Sequence, residues 1–315
     1  MKIVILDAGT LGTDINLSPL TEHFDTEVYQ STATDQIEMR VNHADVIVIN
    51  KIKINAVTLG SARPKLVCLA ATGYDNVDID FCRKESIAVC NVVGYSTDSV
   101  AQLTITQALY LLMHMPAYTN YVNSGDYTQS GVANKVSPTF HTLNGKTWGI
   151  VGLGNIGKKV AEIAKAFGCR VIVNKRTPDP NFECVPLETL CKQADVISLH
   201  TPLTAETKHI INEKTLSLMK PNCVLINVAR GLVCDEEAVA NAVLNNQIAA
   251  FGTDVYSTEP FPKTHPMYKL RNLPNVCLTP HMAWASLESR NLCIEEIRDN
   301  ILSFQQKQTR NRVDI

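Results

Sequence analysis

The sequence predicts an α/β protein of two domains, and three observations carry that expectation. Short apolar runs alternate with longer stretches of helical periodicity, as in a parallel sheet with crossover helices. The alternation occurs in two series, separated by one long apolar helix. A glycine-rich turn opens the second series, directly after its first apolar run. A chain of 315 residues, 45% hydrophobic and 19% charged, is long enough for two such cores.

In the first third the strand candidates are "KIVIL", "DVIVIN", "KLVCLA" and "IAVCN", which make one small α/β domain over residues 1–99. Residues 100–115, "VAQLTITQALYLLMHM", read as a long helix that stops or kinks at Pro116. The second series runs through "TWGIVGLG", "RVIVN", "DVISLH", "CVLINV", "AAFGTDV" and "NVCLTP". These six candidates are the number a complete dinucleotide-binding sheet needs. They place a second domain over residues 100–286. The remaining segment, 287–315, returns to an amphipathic helix with no strand left to follow, and is expected to pack back on the first domain.

Composition narrows the function classes. With 29 basic and 31 acidic residues the net charge is −2, so no global cationic field draws nucleic acid or an anionic membrane. Ten scattered cysteines show no CxxC pair and no metal-ligand spacing, which predicts reduced core residues, no metal and a cytoplasmic protein. "MKIVILDAGT" reads as a first strand, not a signal peptide, and no apolar run approaches the roughly 20 residues of a membrane span.

"GIVGLGNIGKKVAEIAKAFG" sets Gly152, Gly154 and Gly157 in GxGxxG spacing between a strand and a helix. The first glycine permits the tight turn, the second admits a pyrophosphate close to the backbone, and the third lets helix and strand pack. The helix N-terminus then faces the phosphates. A Rossmann-type dinucleotide-binding domain follows, beside a smaller domain of flavodoxin-like α/β type.

A carboxylate about 20 residues beyond the glycines normally accepts the adenosine ribose hydroxyls of NAD and would repel a 2′-phosphate. Here Lys175, 21 residues after Gly154, and Arg176 stand at that strand end. Two cations there supply charge-assisted donors to a phosphate, so NADP(H) is expected ahead of NAD(H). The competing reading is a pair of solvated cations at a strand end.

Three further stretches put polar residues after strand candidates, where open α/β sheets hold their ligands. They are "NVARG" with Arg230, "GTDVYSTEP" with Asp254 and Glu259, and "TPHMAW" with His281. Singly, each has an ordinary explanation as an ion-pair partner, a solvated acid or a turn residue.

Together, "GLGNIG", "HTPLTAETKHIIN", "LINVARG", "GTDVYSTEP" and "LTPHMAW" resemble the D-isomer-specific 2-hydroxyacid dehydrogenase family. The resemblance covers nearly the whole chain, since "AATGYDNVD" and "NVVGYSTDSVAQ" also match, and within the family it is nearest the glycerate dehydrogenase, or hydroxypyruvate reductase, branch. It implies His281 as general acid, Glu259 as the carboxylate that orients its ring, and Arg230 as the group that polarises the substrate carbonyl and grips its carboxylate. It further implies that Gly73 and Tyr74 offer backbone N–H groups to the substrate across a closing cleft. Asp254 would hold the nicotinamide carboxamide, Thr201 and Pro202 would line the cofactor groove, and Asn155 and Ile156 would cover the pyrophosphate.

A homodimer is implied too, with residues 100–115 as a contributor, although a buried position within the chain would give that helix the same composition. His200 and His209 match no catalytic position and read as structural. Trp284 either roofs an active site or fills a core. Val93, Gln102 and Lys175 depart from the commonest family pattern, where proline, glutamate and an NAD-selecting aspartate stand.

The implied reaction is reduction of hydroxypyruvate or glyoxylate to D-glycerate or glycolate. D-lactate-type or branched-chain 2-oxo acid reduction, and a dinucleotide-sensing corepressor-like binding role, are the alternatives.

Overall fold

A computed structural model describes residues 1–315, which divide into two compact units, 1–96 with 284–315 and 97–283. The first unit holds a five-stranded parallel sheet: β1 (Lys2–Ile5), β2 (Asp25–Val28), β3 (Val46–Ile49), β4 (Leu66–Leu69) and β5 (Ala88–Cys90). Its order, β2-β1-β3-β4-β5, is that of a flavodoxin-like doubly wound sheet. β3 and β4 are buried at every position, because helices cover both faces. One side of the core is closed by the helix Leu287–Gln305, which buries Cys293, Ile294, Ile297 and Ile301 against Ile3, Val46 and Leu66. Those four positions fall on one helical stripe.

The second unit carries seven parallel strands: β6 (Thr147–Val151), β7 (Arg170–Asn174), β8 (Glu183–Cys184), β9 (Val196–Leu199), β10 (Val224–Asn227), β11 (Ala250–Thr253) and β12 (Val276–Leu278). Their order is β12-β11-β10-β9-β6-β7-β8. Counted from β6, this is the 3-2-1-4-5-6 arrangement of a Rossmann sheet with one strand added at the far edge. The chain reverses direction of winding between β6 and β9, so the crevice for a dinucleotide opens beyond Val151 and Leu199.

The strand expectations need two additions. β2, "DTEV", and the two-residue β8, "EC", lie at sheet edges, where one side faces water and no apolar run forms. The long helix spans Thr97–Leu112, not 100–115, and a second helix, Met115–Asn123, starts after His114 in the left-handed region. Pro116 sets that stop, since its ring would clash with the carbonyl of Leu112, four residues earlier, and it has no N–H to give.

All ten cysteines are unpaired, eight of them buried. No helix is long and apolar enough to cross a membrane.

Candidate active site

The glycine turn follows β6. Gly152 has φ +92°, and a Cβ there would lie 2.7 Å from the His200 carbonyl oxygen and 2.8 Å from Thr201 N. A side chain at Gly157 would drive into the Gly152 carbonyl. Both glycines are therefore required by the protein's own packing. Gly154 differs: nothing lies within 4 Å of a Cβ placed on it, so the chain leaves open space there. It starts the helix Asn155–Ala166 with no side-chain cap and no acid in the first turn. The first-turn N–H groups of Asn155, Ile156 and Gly157 leave the helix unmatched by helical carbonyls. Open space over Gly154 and a helix end of positive polarity fit the pyrophosphate of a dinucleotide.

Beneath this turn, the Trp148 indole donates to Ser198 Oγ at 2.9 Å, and His200 Nε2 lies 2.9 Å from the same oxygen. The indole and the imidazole thus share one hydroxyl, and the buried His200 Nδ1 has no partner. Burial pushes the His200 imidazole from 6.5 down to about 3. Between those values the unfolded chain binds a proton that the native protein refuses. This lowers stability as pH falls from 6.5, by up to about 1.4 kcal/mol per pH unit. His200→Leu should flatten the decline of Tm between pH 6 and about 4; an unchanged slope in thermal denaturation across that range would refute the assignment.

The strand-end cations abut the turn, because Gly152 N donates to the Asn174 carbonyl at 2.9 Å and Lys175 follows immediately. Lys175 is half-buried and Arg176 exposed. Each stands within electrostatic reach of an acid that the sequence analysis did not single out. Asn181 N–H holds the Asp179 carboxyl below its usual range, and Lys158, 3.6 Å away, and Lys175 add to that. The Thr204 hydroxyl does the same for Glu206, with Arg176 contributing. Thr201 and Pro202 follow β9, and the Pro202 carbonyl accepts from Thr207 Oγ1 at 2.6 Å.

The ends of the adjacent strands β10, β11 and β12 carry the remaining candidates. After β10, Asn227 turns back to bind its own loop: its Nδ2 donates to the Arg230 carbonyl at 2.9 Å and its Oδ1 accepts from Ala229 N at 3.0 Å. Arg230 Nη1 donates to the Ala229 carbonyl at 2.8 Å.

After β12, His281 adopts φ +52°, and its Nδ1 lies 2.6 Å from Glu259 Oε2. Glu259 Oε1 accepts from Tyr256 N at 2.9 Å. The ring and carboxylate are only partly covered, 28% and 30% exposed, so small molecules can reach the pair. Asp254 is 1% exposed. Its Oδ1 accepts from Thr279 Oγ1 (2.6 Å) and Met282 N (2.9 Å), and its Oδ2 from Ala283 N (2.8 Å). These bonds clamp the loop that carries His281, a task for Asp254 additional to the cofactor role implied by resemblance.

In the first unit, Gly73 and Tyr74 lie on the loop after β4, and Tyr74 is exposed. Asn76 ties this loop to the preceding one by donating to the carbonyls of Asn50 (3.2 Å) and Ile52 (2.7 Å). Trp284 packs on the first-unit core, edge-on to Tyr95, with Lys51 Nζ 5.8 Å from its ring.

A family model described as D-isomer specific 2-hydroxyacid dehydrogenase, NAD binding domain, matches residues 105–283. Among curated relatives, a glycerate dehydrogenase of Methylorubrum extorquens is 34% identical over 315 residues, covering 99% of each chain. A glyoxylate reductase of Thermococcus litoralis is 40% identical over 250 residues, covering 76% of this chain and 74% of its own. Among solved structures, an acyclic imino acid reductase in complex with NADPH and D-Arg superposes with a TM-score of 0.86 at 30% identity, covering 99% of this chain and all of that one.

Proposed function

We propose, since the chain belongs to the D-isomer-specific 2-hydroxyacid dehydrogenase family, that it reduces a small 2-oxo acid, hydroxypyruvate or glyoxylate first, to the D-2-hydroxy acid. Membership makes it an oxidoreductase that uses a nicotinamide dinucleotide. The observation that carries the catalytic reading is the 2.6 Å contact of His281 Nδ1 with Glu259. That contact commits Nδ1 to the carboxylate, so Nε2 is the nitrogen that hands a proton to the substrate.

A bound reduced nicotinamide supplies the hydride taken up by the carbonyl carbon. His281 protonates the carbonyl oxygen as negative charge develops there, and the neutral imidazole regains its proton from water. Arg230 grips the substrate carboxylate and polarises the carbonyl, which suits a planar fork of donors. Gly73 and Tyr74 supply backbone N–H groups to the same carboxylate. Gly152, Gly154, Asn155, Ile156 and Gly157 would hold the pyrophosphate of the dinucleotide, Thr201 and Pro202 would line its groove, and Asp254 would hold the carboxamide.

NADP(H) is preferred to NAD(H) because Lys175 and Arg176 stand where NAD enzymes place an acid. A second copy of this chain is the partner. Tyr110, Met113, Val122, Val136 and Phe140 leave an exposed apolar stretch on the segment 110–140 for it to cover. Ten unpaired cysteines suit a reducing compartment such as the cytoplasm.

Relatives named glycerate dehydrogenase and glyoxylate reductase favour the small substrates over pyruvate or branched-chain acids. Initial rates with hydroxypyruvate, glyoxylate, pyruvate and a branched-chain 2-oxo acid test this. The highest kcat/KM is expected on hydroxypyruvate or glyoxylate. A higher value on a bulkier acid would replace the substrate. Binding of dinucleotide without turnover of any acid would favour a sensing role.

A further inference from the structure

Gln107 lies in the apolar helix Thr97–Leu112, is 1% exposed, and makes one side-chain hydrogen bond, from Nε2 to Thr279 Oγ1 at 3.1 Å. Its Oε1 is buried with no hydrogen-bond partner. An amide buried at such cost, where leucine would satisfy the helix, calls for a compensating role.

The partners define one. Thr279 has a single hydroxyl proton and stands 2.6 Å from Asp254 Oδ1, which as a carboxylate oxygen only accepts. Thr279 therefore donates to Asp254, and Gln107 must present its NH2 to the threonine lone pair; the network fixes the orientation of the amide. Thr279 Oγ1 has a competing acceptor, the Thr253 carbonyl at 3.4 Å. The Gln107 N–H turns the hydroxyl toward the carboxylate instead. The amide is seated on β11 itself: a Cβ at Gly252 would lie 2.8 Å from Gln107 Oε1. Asp254, two residues beyond Gly252, in turn holds Met282 N and Ala283 N, the two amides after His281.

The geometry points to Gln107 as a positioning residue for the reaction: through Thr279 and Asp254 it fixes the loop that aims His281 at the substrate. The inference rests on His281 as proton donor. Gln107 touches neither substrate nor cofactor. Its removal misplaces the acid without weakening binding, and small misplacements of a catalytic group are costly.

The test compares Gln107→Leu, Gln107→Met, Thr279→Val and the double variant Gln107→Leu/Thr279→Val with the wild-type enzyme. Both Gln107 variants should lower kcat about tenfold while leaving KM for the 2-oxo acid and Kd for NADPH within about twofold. The double variant should be no slower than Thr279→Val, because one chain of contacts is broken twice. The downfield proton resonance of the His281 Nδ1–H···Glu259 bond, identified by its loss in His281→Ala, should broaden or shift in Gln107→Leu. Wild-type kcat with an unchanged resonance would overturn the inference, as would losses that add in the double variant. An active His281→Ala would remove the proton-donor reading on its own, and the resonance would still decide whether Gln107 positions that ring.

Discussion

Replacing His281 with alanine is expected to lower kcat by about two to four orders of magnitude, the usual worth of a positioned general acid. The affinity for NADPH, followed by its fluorescence on titration, should stay within about twofold. The separation follows from placement. The glycine turn and the helix Asn155–Ala166 lie at the end of β6, whereas His281 follows β12 at the far edge of the sheet. Removing the imidazole leaves the glycine turn and that helix untouched. Glu259→Gln should lie between this variant and the wild type, since the amide keeps an oxygen for His281 Nδ1 but loses the charge paired with the ring that donates the proton. Losses that appear equally in kcat and kcat/KM would mark an interaction made only in the transition state. Turnover at the wild-type rate in His281→Ala would eliminate it as the acid.

Much of the fold was legible because central parallel strands are buried on both faces. Runs such as Val46–Ile49 and Val196–Leu199 admit only apolar or small residues and so announce themselves. β2 and β8 did not, because edge strands trade that signal for charged side chains such as Glu27 and Glu183. The site divides along a similar line. Gly152 and Gly157 were readable because close packing leaves no alternative to glycine. Lys175 stood out because a fixed spacing sets an expectation it breaks.

The link between Glu259 and His281 spans 22 residues and two strand ends, so local pattern could not supply it and resemblance had to. Asp254 looked like a ligand contact, and its clamp on Thr279, Met282 and Ala283 emerged only in three dimensions. Gln107 was indistinguishable from a polar position on the outer face of a helix until its burial was known.

Lys175→Asp is expected to reverse cofactor preference. Each charge-assisted hydrogen bond to a phosphate contributes about 1.5–3 kcal/mol, so losing that of Lys175 should cut kcat/KM for NADPH by roughly 10- to 150-fold. The new carboxylate would repel the 2′-phosphate while accepting the ribose hydroxyls of NADH, whose kcat/KM should rise. Arg176→Ala should cost less, because Arg176 is exposed, Lys175 is half-buried, and solvent screens the outer charge more. Asp179 and Glu206 bear on the size of the effect. In the absence of phosphate these acids partly offset the field of the two cations.

A field of that kind is sensitive to ionic strength. KM for NADPH should rise between low salt and about 0.15 M, where the screening length falls to about 8 Å, while KM for NADH, which lacks the 2′-phosphate, should change far less. Initial rates with both cofactors at two salt concentrations, for the wild type and Lys175→Asp, read all of these at once. A wild-type enzyme that already favours NADH, or a Lys175→Asp variant whose NADPH to NADH ratio is unchanged, would return Lys175 and Arg176 to the status of solvated cations at a strand end.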